Sequence, residues 1–305
     1  MFLMESGKQD TKEHESKLHI WYNKSYKWLL VLPLILLLFS AVYLFNFYQK
    51  NGDIIYKDVS ITGGTTITVF GQEAEQDVLH ALVSQFPDVE VHAISDLQTG
   101  KQLGFVVATT ESADNVKAAL EKYLEYSLTA DNSSIEYTGA SLSSSFYKQL
   151  KFAIVLSFVL MAVVVFIIFR TPVRSLSIIL AGMADIIMTI VVVDMMGMRL
   201  SAAGIVALLM LIGYSVDADI LLTTRVVKYR EGNFNHRMFG AFKTGMTMTL
   251  TAIAAIAVAF IFTRTLSPTL AQMFTIILIG LVFDIFNCWV TNASILKWYG
   301  EAKGL

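Results

Sequence analysis

Five carboxylates, Asp185, Asp194, Asp217, Asp219 and Asp284, sit within or at the ends of long apolar runs. An aspartate at the centre of a bilayer costs about 2.5–3.5 kcal/mol on insertion scales, and it persists where it faces a bundle interior, a polar cavity or an ion path. The chemistry open to such groups is proton exchange or ion pairing away from bulk water. Asp185 lies ten residues, about 15 Å along a helix, from the nearer end of its run, and Asp284 is about 20 Å from Lys297. Both therefore fall deep in a span. Asp194, at the far end of its run, is expected to pair with Arg199.

The richest local sequence is Gly213-Tyr214-Ser215-Val216-Asp217-Ala218-Asp219, running on to Arg225. On a helix Gly213 and Asp217 are one turn apart and share a face, with Tyr214 beside Asp217. Glycine at that place admits a closely packed neighbouring helix. Asp219 is turned about 200° from Asp217, so the two cannot enter one groove. This geometry puts forward Asp217 for a coupling role and leaves Asp219 as an interfacial partner near Arg225. A polar stripe, Lys243, Thr244, Thr247 and Thr251, is spaced to face the carboxylates, although threonine stripes more often seam helices together.

These residues need membrane-spanning helices to hold them, and the composition supplies such helices. Hydrophobic residues make up 55% of the 305, charged residues only 16%, and the mean hydropathy is +0.58, outside the range of soluble domains. The first apolar run, Trp28 to Tyr48, is longer than a signal-peptide core and reads as a retained span after a polar tail over 1–27. An insert of ordinary globular composition fills 49–151. Five further runs occupy 152–305: Phe152 to Phe169, Leu176 to Met195, Ser201 to Leu222, Met246 to Phe262 and Thr269 to Leu296. The expected architecture is a polytopic α-helical membrane protein of six transmembrane helices, with the insert between the first and second.

Lysine and arginine placement gives an orientation. With the N-terminus inside, the inside segments carry fourteen basic residues, whereas the short outside loops carry only Arg199 and Arg264. Both termini are expected on the cytoplasmic side of a cell membrane and the insert on the external side. The sole cysteine, Cys288, excludes an intrachain disulfide and a cysteine-based metal site.

Within the insert, Val59 to Phe70 is rich in β-branched residues and reads as a strand. Glu73 to Phe86 has helical spacing, Val89 to Asp96 alternates, and Thr99-Gly100 turns the chain into Gln102 to Thr109. Ser112 to Ser127 forms a second helix and Ser134 to Thr138 a last strand. The order β-α-β-β-α-β is that of a ferredoxin-like α+β domain, a fold that names no activity. Thr62-Gly63-Gly64-Thr65 lacks the lysine and helix start of a phosphate loop and reads as a strand feature. No nucleophile elbow or zinc-protease helix is present, and the five histidines all lie outside the spans. An enzyme is not expected, nor a metal, a cofactor or a nucleic-acid partner.

Taken together, the six spans, the early Thr62 to Thr65 segment, the Gly213 to Asp217 run followed by Arg225, and Lys243-Thr244 resemble the SecF protein-export membrane proteins. That family is related to SecD and to the RND transporter superfamily. Ser60 stands where many bacterial relatives have an aspartate, and Lys243 where many have an arginine. The Asp217-Ala218-Asp219 order and Asp284 look more like the archaeal branch. The resemblance implies an auxiliary subunit acting with SecD beside a SecY-type channel, assisting export of a translocating polypeptide at the expense of the proton motive force. One charge crossing 100 mV releases about 2.3 kcal/mol, enough to bias a domain swing. On that implication Asp217, Asp185, Asp284 and Lys243 are the proton-coupling candidates, and the insert engages the emerging chain or SecD. Two other readings stay open: an RND-like exporter of lipids or small molecules, and a scaffold that conducts nothing.

Overall fold

Among the described residues, proline and glycine punctuate long apolar stretches into six helices long and apolar enough to cross a membrane. The computed structural model describes residues 25–71, 75–228 and 234–303. The spans are Ser25–Asn51, Ala140–Phe169, Pro172–Met195, Ala202–Val227, Phe234–Thr263 and Pro268–Lys303. Their regular helices are α1 (Val31–Asn51), α5 (Ala140–Phe169), α6 (Pro172–Met195), α7 (Ala202–Lys228), α8 (Phe234–Thr263) and α9 (Pro268–Phe286). Pro172 and Pro268 open α6 and α9, where a missing N–H costs nothing, and Ser267 caps α9 by accepting from the Leu270 amide at 3.4 Å. The sixth span is not one regular helix. After α9 it widens into a π-helical turn over Asn287–Asn292 and resumes as α10 (Ala293–Lys303).

Burial is uneven. Helix α6 is enclosed along most of its length, α7 and α9 along one side each, while α1, α5 and α8 show mostly apolar surface outward. The apolar centre of the bundle is built from Ile178, Ile186, Leu208, Leu211, Ile276 and Leu281. Apolar side chains on the outer helices have no core to enter, and a lipid environment accounts for their exposure.

The insert folds as the sequence order requires. A short helix α2 (Val59–Thr62) precedes β1 (Gly64–Val69), α3 (Glu75–Val83), β2 (Glu90–Ser95), β3 (Gln102–Thr109), α4 (Ala113–Leu124) and β4 (Ser133–Thr138). The strands lie in the order β2-β3-β1-β4, all antiparallel, which is the ferredoxin-like arrangement. Alternation sends Ile67, Val69, Phe105 and Val107 to one face, where Val78 and Leu82 of α3 and Val116 and Leu120 of α4 cover them.

One expectation is corrected at the start of the insert. Val59 to Phe70 is not a continuous strand: Asp58 accepts a hydrogen bond from the Ser60 amide at 3.0 Å and caps a helical turn over Val59–Thr62. Gly63 (φ 85°) and Gly64 (φ 150°) then turn the chain into β1. A Cβ on Gly63 would stand 2.5 Å from the Ala140 Cα, so Thr62 to Thr65 is the tight joint between the insert and α5. Thr65 donates its hydroxyl to the Glu111 carbonyl at 2.6 Å. The first part of the helix expected from Glu73 lies outside the described residues. The second membrane helix starts at Ala140, well before Phe152, because Ser143 and Tyr147 are buried and Tyr147 donates to Asp53 in the link from α1 at 3.0 Å.

The open face of the sheet looks toward the helix ends across a cavity of about 1010 Å³, with Thr66, Thr68 and His92 on the sheet side and Arg199 and Gln272 on the helix side. Its rim is pinned at several places, among them a backbone pairing in which the Asp58 amide donates to the Leu200 carbonyl at 3.1 Å and the Leu200 amide to the Tyr56 carbonyl at 2.6 Å. The Ser95 amide donates to the Thr265 carbonyl at 2.9 Å, the Ala202 amide to Ser60 Oγ at 3.1 Å, and Arg199 pairs with Glu90 at 2.9 Å while donating to the Asp88 carbonyl at 2.6 Å.

Candidate functional site

Asp185 of α6, Ser215 and Asp219 of α7, Asp284 of α9, and Asn287 and Asn292 of the π turn are drawn together inside the bundle. Each of the three carboxylates is 1% exposed. Helix α6 places Asp185 there because it is the enclosed helix, and Gly182, one turn earlier, packs beside Ser215, whose Oγ would stand in ordinary contact, 3.8 Å, with a Cβ at that glycine. Ser215 Oγ donates to Asp185 Oδ2 at 2.5 Å, and Asn287 Nδ2 donates to Asp185 Oδ1 at 2.7 Å. The Thr291 hydroxyl donates to Asn287 Oδ1 at 3.2 Å and fixes that amide. Asp185 thus has a donor on each oxygen.

Asp219 is served differently. Asn292 Nδ2 donates to Asp219 Oδ1 at 2.8 Å, but Asp219 Oδ2 has no donor. The Cys288 thiol lies against this carboxylate as a weak donor. Asp284 Oδ1 and Asn292 Oδ1 also lack donors, and Ser215 lies near Asp284 as well as Asp185. The π turn makes this arrangement: a helix turn wider than α rotates Asn287 and Asn292 toward the carboxylates, a use of π geometry common at functional sites. The described ion pairs, Lys57–Asp53, His92–Glu90, Lys117–Glu121 and Arg199–Glu90, all lie outside the spans, so none neutralises the cluster. Among the described residues no three side chains of His, Cys, Asp or Glu converge as a metal-ion shell.

The residues singled out by sequence fall into two groups. Asp185, Asp284 and Ser215 enter the cluster. Asp217, Gly213 and Tyr214 lie on the opposite, exposed face of α7, and no side chain of this chain comes within 4 Å of a Cβ built at Gly213. Lys243 is likewise exposed, and no ion pair joins it to Asp217 among the described residues. The threonine stripe does not face the carboxylates. Thr244, Thr247 and Thr251 donate to the carbonyls of Gly240, Lys243 and Thr247 in their own helix, the usual outlet for a hydroxyl with no better acceptor. Asp194 does not pair with Arg199, whose guanidinium is held by Glu90 and the Asp88 carbonyl. It is buried beside the Tyr56 backbone instead. Asp219, set aside by its spacing from Asp217, is the residue the structure adds, and Arg225 turns away from it to donate to the Gly240 carbonyl at 3.2 Å.

The fold and this buried cluster define a class: a six-span membrane protein with a ferredoxin-like insert after its first span. Residues 116–302 match the family of the protein export membrane protein SecD/SecF, C-terminal, so the chain belongs to the SecD/SecF protein-export membrane family. It is 38% identical over 283 residues to the protein-export membrane protein SecF of Methanocaldococcus jannaschii, covering 90% of this chain and 96% of that one. The SecF of Methanolacinia petrolearia is 33% identical, over 91% and 95% of the two chains. Among solved structures, a SecDF from Thermus, a translocon-associated membrane protein, superposes with a TM-score of 0.71 at 15% identity. That likeness covers 92% of this chain but 38% of the SecDF chain, so this chain corresponds in fold to well under half of that molecule.

Proposed function

We propose that the chain is the SecF-type subunit of a protein-export machine, with both termini cytoplasmic and the insert external, and that it acts beside a SecD-type partner and a SecY-type channel. It catalyses no reaction; it converts the proton gradient into movement of the insert that draws a polypeptide outward. The observation that carries the energetic part is the burial of Asp185, Asp219 and Asp284 together, with no ion pair to any of them among the described residues. Three carboxylates so placed cannot all stay charged cheaply, so their proton occupancy responds to access from either side.

The partner part rests on α7. Asp217 is exposed at the depth of a span, beside Gly213 with open space around it, and a carboxylate facing lipid there is disfavoured. A companion helix bundle that packs on Gly213 and meets Asp217 and Lys243 relieves that cost. A six-helix chain is half of the paired arrangement common in transporters. Co-purification from native membranes in mild detergent tests the assembly: a SecD-type companion is expected, and a homo-oligomer that exports dye would overturn the reading. Collapse of the proton gradient with a protonophore should slow export by vesicles carrying the complex; unchanged export would remove the energetic part.

A further inference from the structure

We infer that the three buried carboxylates divide the work: Asp185 is a fixed hydrogen-bonded anchor, and Asp219 with Asp284 is the pair that takes up and releases the proton. This rests on the coupling reading above and names the groups that carry it.

The argument is a count of donors and acceptors. Each oxygen of Asp185 already has a donor, Ser215 Oγ at 2.5 Å and Asn287 Nδ2 at 2.7 Å, and Asn287 is itself held by Thr291. A proton arriving at Asp185 has either to displace the Asn287 amide from Oδ1 or to turn the Ser215 hydroxyl from donor to acceptor, so this site is already filled. Around the other two carboxylates acceptors are in excess. Asp219 Oδ2, Asp284 Oδ1 and Asn292 Oδ1 are all buried and all without a donor. Asn292 decides the matter, because its Nδ2 is already given to Asp219 Oδ1, so its carbonyl oxygen is held at the cluster with nothing to accept. A surplus of acceptors around two carboxylates calls for a hydrogen. A proton added to either carboxylate turns an acceptor oxygen into an O–H donor, which serves a neighbouring acceptor and removes one charge.

The titratable groups that interact with Asp219 and Asp284 are each other, Asp185 and the Cys288 thiol. Helices α8 and α10 contribute the apolar Met238, Ala241, Ala293 and Leu296 to the cluster packed around Ala218 and Leu222. Lys297 of α10 is buried with its ammonium 3.3 Å from Asn235 Oδ1 and 5.0 Å from the centre of the Tyr26 ring. The step is balanced: a proton enters from one side, forms one O–H bond on Asp219 or Asp284, and leaves to the other side, restoring the carboxylate with no change of oxidation state.

The test is pH-difference infrared spectroscopy of the full chain in lipid vesicles, reading the carbonyl stretch of protonated carboxyl groups. The wild type is expected to show two titrating components, Asp219→Asn and Asp284→Asn to lose one each, and Asp185→Asn to keep both with shifted midpoints. Loss of the band in Asp185→Asn with the other two variants unchanged would overturn the assignment, as would a band that none of the three alters. Asn292→Ala keeps every carboxyl and removes both the donor to Asp219 and the unpaired acceptor beside it. It should shift most the component that Asp219→Asn removes, and two unmoved midpoints would count against the inference. A titrating Asp219–Asp284 pair in a complex whose export ignores the gradient would sink the coupling reading and leave the assignment standing. Gradient-driven export with the titration on Asp185 would do the reverse.

Discussion

Asp217 and Asp219, two residues apart, show what local pattern states and what it leaves out. Their spacing requires them to point to opposite sides of α7, and they do. Which side is the interior depends on where α6 and α9 pack, and no stretch of α7 encodes that. Depth, in contrast, was legible, because a fixed rise per residue carries Asp185 and Asp284 to mid-span whatever their neighbours. Replacement Asp217→Asn is expected to leave the complex assembled and to weaken export severalfold in an assay on inverted or reconstituted vesicles; full export would remove Asp217 from the coupling residues. Outside the spans, Asp88 supplies a pH dependence. Burial alone would raise its pKa, but the Thr110 hydroxyl and amide, at 2.6 and 2.7 Å, and the Thr109 hydroxyl outweigh burial and hold it below the usual value. The folded insert therefore gives up this proton at a lower pH than the unfolded chain. The resulting stability is complete above the unfolded pKa and is lost as pH falls through the folded one. Asp88→Asn should flatten that acid dependence and cost on the order of 1 kcal/mol at neutral pH, since the group is largely solvated. Thermal unfolding across a pH series checks both.

At the scale of elements, the strands and helices of the insert were readable because period-2 alternation and β-branched residues mark β1 to β4, and amphipathic spacing marks α3 and α4. The misread stretch, Val59 to Thr62, fails for a physical reason: β-branched Val59, Ile61 and Thr62 favour a strand, yet one cap at Asp58 and two glycines behind it stabilise a turn of helix. The π turn over Asn287–Asn292 left no trace in the hydropathy, since it adds a residue to a turn without altering the apolar run. Deleting Val290 from it should restore α geometry and disturb the seating of Asn287 and Asn292 at the carboxylates. An assembled complex whose export no longer responds to the gradient is the expected result, and an unaltered response would show the wide turn to be incidental. Packing between α7 and α9 depends on Gly280, where a Cβ would run into the Leu211 side chain. Gly280→Ala should lower stability by about 1–3 kcal/mol, read as an earlier unfolding midpoint in detergent.

At the scale of the molecule, the insert and the helix bundle meet around a cavity and are tied by the Ser95–Thr265, Asp58–Leu200 and Tyr56–Leu200 backbone bonds and by Arg199 on Glu90, so the proposed movement of the sheet domain over the helix ends requires the Ser95 and Arg199 contacts to part. The Ser95–Thr265 backbone bond marks where that movement can be stopped. A Ser95→Cys/Thr265→Cys pair, oxidised in a chain whose only native thiol, Cys288, is buried, should arrest export reversibly; unimpaired export in the crosslinked state would mean the insert need not move there. Helices α6 and α7 hold Asp185 and Asp219 within the bundle, and the loop that joins them meets the insert at Arg199 to Ala202. The most direct measurement is the rate of polypeptide export by reconstituted vesicles with and without an imposed proton gradient, for the wild type and for the Asp185→Asn/Asp219→Asn/Asp284→Asn variant assembled with the same companion. The gradient should accelerate export by the wild type and have no effect on the variant. Equal acceleration in both would contradict the account.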